Sequence, residues 1–414
     1  MITGGMCRAA WLCAAVAAVA AAEPGVTDTS VRVGERSAFS GPSAGLGIEL
    51  WRGAQAAFLA ANDAGGVHGR RIEYVVADDG YDAEKAAPAA LRLLTRDKVF
   101  VLFGGVGTPT IVKVLPVVLK LNGTEGLIQF ANFTGAQPQR EPPYDRVVLN
   151  IRASYRQETR AMVEAFLGMG RKKIGIFVQD DAYGASGRDG VKRALKEHSL
   201  KLAADTSYPR GQTYESSTAV QVRLLREAGV DAVMAVGSYQ ACAALVRDAR
   251  GAGWTVPIHF VSFVGADQML EQLKKEPNGG ALMQNLIVTQ VVPPISDVQL
   301  PVVRDYRAAM ERYDPVAPRG VGDLSYRPSA RCSFGSLEGF VNARAFLAVL
   351  QKAGPELTRK SFLQAAESMG KFDLGLGVPA ELSATRHQAL DKVWFTYATT
   401  EGWQGVENPA GVLR

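Results

Sequence analysis

Short apolar runs recur along this chain, each followed by a longer segment whose apolar positions return at helical spacing. The first run, over 31–38, is strand-like and closes on Phe39-Ser40-Gly41-Pro42. A helical stretch over 49–64 stops at Gly65-Gly66, where glycine supplies a left-handed C-cap. A second strand over 71–77 ends on Asp78-Asp79. The pattern then predicts a helix over 82–96, a strand over 99–103, a helix over 108–119 and a strand over 127–130. A short strand over 146–151 reads as a crossing point. A second series starts there, with a helix over 157–169 and strands over 173–178, 202–207, 232–236 and 258–262. Helices lie between these strands, among them 218–227 and 239–250. Such alternation predicts parallel sheets with helices on both faces, and two series predict two doubly wound α/β domains.

The last part changes character. A strand over 286–292 ends in Pro293-Pro294; helices over 302–313, 337–351 and 358–369 follow, then strands over 377–382 and 393–397. The Pro-, Arg- and Gly-rich stretch 315–333 is expected to be an exposed loop. No internal repeat of solenoid period is present.

Composition narrows the class. The 414 residues are 47% hydrophobic and 21% charged, a globular balance long enough for two domains. The net charge of +5 comes from 46 Lys and Arg scattered among 41 Asp and Glu. No basic stripe with interleaved aromatics forms, so nucleic acid is not expected as a partner. Arg8, the Ala-rich apolar stretch 9–20 and Ala20-Ala21-Ala22 before Glu23 read as a cleaved signal peptide over 1–22. That stretch is shorter than the ~20 residues a membrane-spanning helix needs. The mature chain keeps Cys242 and Cys332. Spacing leaves open whether they form one disulfide or stay free, because a bridge depends on Cα positions.

Catalytic chemistry finds little support. His68, His198, His259 and His387 are not at metal-ligand spacing with one another, with cysteine or with carboxylates. Gly184-Ala185-Ser186-Gly187-Arg188 lacks the spacing of a nucleophile elbow. Gly104-Gly105-Val106-Gly107 follows a strand and opens a helix, but lacks the third glycine of a dinucleotide loop and the Lys-Ser or Lys-Thr of a phosphate loop. Asp78-Asp79 reads as a solvated helix cap. No enzyme activity, metal or cofactor is therefore expected. Binding is better supported. Loops at the carboxyl ends of strands are where open α/β sheets take ligands. Thr108 either caps the helix that follows it or, with nearby N–H groups, also holds a carboxylate or carbonyl oxygen. Asn132-Phe133-Thr134 follows the next strand in the same way.

Several segments also carry a family likeness. They are Ser40-Gly41-Pro42, Asn62-Asp63-Ala64-Gly65-Gly66-Val67-His68-Gly69-Arg70, Asp78-Asp79, Gly104-Gly105-Val106-Gly107-Thr108, Asp180-Asp181-Ala182-Tyr183-Gly184 and Ser336-Leu337-Glu338-Gly339-Phe340-Val341-Asn342-Ala343. In this order, and over nearly the whole mature chain, they resemble the branched-chain amino-acid binding proteins, the type I periplasmic substrate-binding proteins of ABC importers. The resemblance implies two Rossmann-like lobes joined by a hinge, with crossings near Arg152, Gln290 and Leu376. Lobe one would comprise 26–151 and 290–375, and lobe two 152–289 and 376–414. It further implies a periplasmic monomer that delivers a small ligand to an inner-membrane ABC permease, or a sensory module of the same fold.

By the same resemblance, Thr108 and Thr134 match positions that grip the ligand's carboxylate, with Asn132 beside them. Tyr183 and Tyr239 match aromatic positions that close over the ligand. Two departures bear on specificity. The place of the acidic residue that pairs with a ligand ammonium falls at Val264, within Ser262-Phe263-Val264-Gly265. Leu46 stands where relatives carry a tyrosine. An apolar residue cannot balance a buried ammonium. The expected ligand thus keeps a carboxylate or amide-like head and lacks a free α-amine, with Phe263, Val264 and Leu46 at the altered end. Asp267 is close enough in sequence to restore an ammonium partner. The early disulfide of some relatives is not available, because Tyr81 and Gly107 occupy those places.

Overall fold

A computed structural model describes residues 23–318, 321 and 326–413 of the chain; the expected signal peptide at 1–22 lies outside them. The first sheet is built from β1 (Ser30–Ser37), β2 (Arg71–Asp78), β3 (Val101–Phe103), β4 (Gln129–Phe130) and β5 (Val148–Leu149). All its pairings are parallel, in the order β2-β1-β3-β4-β5. The connecting helices are α1 (Ala44–Asp63), α2 (Ala83–Thr95) and α3 (Thr108–Glu125). The first helix starts at Ala44 rather than at 49. Gly45 and Gly47 blur its sequence signal, yet Gly47 lets the first turn rest on the end of β1. A Cβ there would lie 2.2 Å from the Ala38 carbonyl oxygen.

The second sheet follows α4 (Tyr155–Gly168) and opens with β6 (Ile174–Gln179). It continues through α5 (Ala182–Glu197), β7 (Ala204–Tyr208), α6 (Ala219–Glu227), β8 (Ala232–Val236), α7 (Tyr239–Gly251), β9 (Ile258–Phe260), α8 (Ala266–Lys274), α9 (Gly279–Leu282) and β10 (Leu286–Gln290). The expected strand over 258–262 stops at Phe260, and Ser262–Val264 form a 3-10 turn instead. The cause is a side chain distant in sequence: Glu158 accepts hydrogen bonds from the Ser262 N–H at 2.7 Å and from its hydroxyl at 3.0 Å. That hook pulls the backbone out of the sheet.

The last part serves both sheets. After α10 (Pro301–Tyr313), α11 (Phe334–Ala353) and α12 (Arg359–Glu367) come a small hairpin, β11 (Gly370–Phe372) with β12 (Ala380–Leu382), and the antiparallel strands β13 (Trp394–Ala398) and β14 (Trp403–Val406). The second sheet thus reads β14-β13-β10-β9-β8-β6-β7. Residues 376–390, expected in lobe two, run beside the end of the first sheet. Asn150 donates to His387 at 2.7 Å, and Leu390 donates to Ile151 at 3.0 Å. The chain enters the second sheet only at Trp394. Helix α11 packs on α1 at backbone contact: a Cβ at Gly53 would lie 1.6 Å from the Ser336 carbonyl, and one at Gly339 would lie 1.9 Å from that of Leu50. Beneath them, Phe58, Phe103, Phe130 and Phe346 form the aromatic centre of lobe one.

The described part of the 315–333 loop folds back onto α1. Arg52 donates to the carbonyls of Pro315 and Ala330, and Tyr326 donates to Glu49 at 2.9 Å. Cys242 and Cys332 are both free, so the disulfide alternative does not hold, and burial raises the Cys242 thiol pKa. No helix among the described residues is long and apolar enough to cross a membrane.

Candidate ligand-binding cleft

Strand order reverses between β1 and β3 in the first sheet and between β6 and β8 in the second. The loops after these strands are where an open α/β sheet presents a ligand site. Thr108 lies on one of them. It is the first residue of α3 and not its cap, because Gly107 holds the cap position at φ 103°. The Thr108 hydroxyl is free for another partner, and it meets the Thr134 hydroxyl at 2.7 Å with both residues fully buried. Thr134 also accepts from the Ala136 N–H at 3.2 Å. Sequence reasoning paired these two threonines, and the fold brings them together. Asn132 is buried beside this loop, and neither of its side-chain polar atoms has a hydrogen-bond partner among the described residues.

The opposite wall comes from the second sheet. Asp181 caps α5 by accepting from the N–H groups of Tyr183 and Gly184, which fixes Tyr183 at the loop after β6. Tyr183 is fully buried, and its ring centroid is 4.6 Å from that of Phe263. Tyr239 opens α7 at the loop after β8. It converges with Leu46 of α1 at Gly265, whose Cβ would lie 2.8 Å from Leu46 Cδ2 and 3.3 Å from Tyr239 Cδ1.

Phe263 is the centre of the arrangement. From its 3-10 turn it crosses to the rings of Phe133 at 5.2 Å and Tyr81 at 6.2 Å on lobe one. These are normal contact distances for aromatic pairs. The lobes are therefore closed on one another. The space left between them is about 10 Å³, lined in part by Leu46, Phe133, Ser262 and Gln290. That is about what one water needs. Ser262 is the residue of the turn that lines this space, while Phe263 and Val264 are both buried behind it, Phe263 against the lobe-one rings.

Buried charges at the crossings escaped sequence reasoning. Arg152, just past the first crossing, pairs with Glu158 of α4 at 3.0 Å and with Glu338 of α11 at 3.3 Å; it also donates to the Ser262 hydroxyl. Its guanidinium sits over the Phe133 and Tyr155 rings at 5.3 and 5.6 Å. Burial alone would lower the Arg152 pKa, but Glu338 and Glu158 together push it above its ordinary value. Burial drives the Glu338 carboxyl up to about 7, against the opposing pull of Arg152. Glu158 further accepts from Thr289 of β10 at 2.7 Å. Arg152 was visible only as a crossing, since its partner Glu338 lies far away in sequence.

Carboxylates around the cleft already have partners. Asp267 accepts from the backbone N–H of Phe334 at 2.8 Å, Glu49 pairs with Arg52 at 3.0 Å, and Asp79 with Arg36 at 2.8 Å. Asp267, the fallback partner for an ammonium, is thus engaged with the N-terminus of α11.

Comparison with known proteins places this architecture. The profile of a family described as periplasmic binding protein matches residues 30–402. A Leu/Ile/Val-binding protein homolog 7 from Brucella melitensis is 26% identical over 347 residues, covering 81% of this chain and 80% of that protein. The crystal structure of a possible leucine/isoleucine/valine-binding protein from Rhodopirellula baltica superposes with a TM-score of 0.82 at 33% identity, over 94% of this chain and 98% of that one. A substrate-binding periplasmic protein from Ralstonia solanacearum superposes with a TM-score of 0.78 at 25% identity, over 91% of this chain and all (100%) of that one.

Proposed function

Because this chain belongs to the periplasmic binding protein family, we propose that it captures a small solute between its two lobes and delivers it to an inner-membrane ABC permease. The solute leaves unchanged; the protein binds and releases without chemistry. After removal of the 1–22 leader it works in the periplasm as a monomer. Residues 26–151 with 290–375 form one lobe and 152–289 with 376–414 the other, the stretch 376–390 serving in the hinge.

The observation that carries this reading is the convergence of both switch points on one cleft. The Thr108–Thr134 hydroxyl pair sits at the strand ends of one sheet, and Phe263, packed on Tyr183 of the other, reaches across to Phe133 beside that pair. The ligand offers an oxygen-bearing head, carboxylate or amide, to the threonines. It lacks a free α-amine, because the turn Ser262–Val264 brings no charge and Asp267 is held by Phe334. Asn132, Tyr239 and Leu46 complete the surroundings of the site. A second reading, a branched-chain amino acid, is favoured by the 33% identity to the Rhodopirellula protein.

A thermal-shift screen of residues 23–414 separates the two. Carboxylic acids, amides and amino acids are supplied at a hundred times an expected dissociation constant, where binding adds about 2.7 kcal/mol of stability. A shift with acids or amides and none with leucine supports the first reading. A shift with leucine alone establishes the second.

A further inference from the structure

The rings at the cleft point to a narrower class of ligand. We infer that the protein takes a planar aromatic carboxylate, held between the Phe133 and Tyr81 rings of lobe one and the Phe263 ring of lobe two. This rests on the proposed reading of the cleft as the ligand site.

Three observations carry it. First, the rings that meet across the lobes are tilted, nearer to parallel than to perpendicular. The interplanar angle is 36° between Phe133 and Phe263, and 37° between Tyr81 and Phe263. Lobe one therefore presents two aromatic rings to one aromatic ring of lobe two. Opening the lobes by about the thickness of one ring, ~3.5 Å, makes a slot whose opposing walls are both aromatic. A flat ring fills such a slot on both sides. A branched aliphatic body is thicker and leaves part of each face uncovered.

Second, Phe263 is a fixed wall and not a loose plug. Its turn is clamped by Ser262, whose N–H and hydroxyl both bond to Glu158. The ring therefore withdraws with lobe two when the lobes part and returns with it when they close.

Third, the polar end of the slot holds a third hydroxyl. The Tyr155 hydroxyl is buried beside Thr134 and has no other side-chain partner among the described residues. Its ring packs beside Thr134: a Cβ on the adjoining Gly135 would lie 2.5 Å from Tyr155 Cδ1. The same ring is 6.5 Å from Phe263. A carboxylate oxygen arriving at Thr108 and Thr134 offers this cluster of hydroxyls a charged acceptor, which makes a stronger hydrogen bond than another hydroxyl does. One end of the slot is thus lined with hydroxyls and the rest with rings, which matches the two ends of a benzoate-like molecule.

The test is isothermal titration calorimetry of residues 23–414 with benzoate, phenylacetate, isovalerate and leucine. The expected result is binding of benzoate or phenylacetate at least tenfold tighter than isovalerate, and no binding of leucine. In Phe263→Leu the preference for the aromatic acid over isovalerate should fall below threefold. Tyr81→Leu provides the same comparison should Phe263→Leu not fold, folding being checked by the denaturant midpoint. Isovalerate binding as tightly as the aromatic acids overturns this inference and leaves the carboxylate reading standing. Leucine as the tightest ligand overturns the reading beneath it. No binding in any arm overturns both.

Discussion

Asp267 of α8 and the backbone N–H of Phe334, the first residue of α11, share a 2.8 Å hydrogen bond that joins the two lobes. The first N–H groups of a helix have no partner within it, and a carboxyl placed there is well matched. Asp267 is half-buried, and loss of solvation is the main reason its carboxyl is pushed up to about 7. The Phe334 hydrogen bond and Lys274 oppose that rise, while Glu49 and Glu271 add to it. The closed form therefore prefers Asp267 protonated.

A pH dependence with a definite sign follows from this contact. For an acid whose pKa is higher in the folded, closed state, the stabilisation is complete below its unfolded value near 4. It is lost as pH rises through about 7. Glu338 and Glu35, also raised to about 7 chiefly by burial, act in the same direction. Urea unfolding should show a higher midpoint at pH 5.5 than at pH 8. Each group contributes up to about 1.4 kcal/mol per pH unit. Asp267→Asn keeps an acceptor oxygen for Phe334 and removes one titrating group, so the slope should shrink in that variant. An unchanged slope would refute the assignment.

The Arg152 cluster predicts unequal costs for its two acids. Arg152→Ala strands Glu158 and Glu338 and should cost about 3–5 kcal/mol in chemical denaturation. Glu158 accepts from Arg152, Ser262 and Thr289, whereas Glu338 has the single longer contact to Arg152. Glu158→Gln should therefore destabilise more than Glu338→Gln. The reverse order would show that the cluster is held from the α11 side.

Much of this fold was legible because its signals are local. Gly65 and Gly66 adopt φ values of 99° and 76°, as the end of a helix before a β-turn requires. The buried runs of β6, β8 and β10 read as parallel strands because both of their faces are covered. The pairing of Thr108 with Thr134 was legible only through family resemblance. What stayed hidden depends on contacts between distant segments. Nothing near Ser262 announces that Glu158 will end its strand, and nothing near Phe263 announces Phe133. Phe263 and Val264 were both expected at the altered end of the site; that the 3-10 turn sets the Phe263 ring against Phe133 is a contact between distant segments that the sequence does not announce.

The threonine pair offers a test that separates binding from folding. Thr108→Val removes one hydrogen bond between hydroxyls and leaves Thr134 still bonded to the Ala136 N–H. The cost in stability should be only about 1 kcal/mol. Affinity for a carboxylate ligand should fall roughly tenfold or more, since a hydrogen bond to a charged group is worth about 1.5–3 kcal/mol. Calorimetric affinity alongside the denaturant midpoint checks both halves. Equal affinity in wild type and variant would remove Thr108 from the site.

Two glycines of one stretch should respond in opposite ways to the same added methyl. Gly107 stands at φ 103°, and a Cβ there would lie 2.0 Å from Tyr81 Cε2. The Tyr81 ring fills the space that a side chain at Gly107 would take. Gly107→Ala combines left-handed strain of about 1–2 kcal/mol with overpacking of about 1–3 kcal/mol. It should also push Tyr81 toward the cleft and so weaken ligand binding. Gly123, inside α3, has nothing within 4 Å of a Cβ. Gly123→Ala should stabilise by about 0.5–1 kcal/mol through helix propensity and leave affinity as it is. Thermal midpoints of the two variants should move apart on either side of wild type. Equal shifts would mean that Tyr81 is free to move away from Gly107, and that the lobe-one wall of the cleft is softer than its packing indicates.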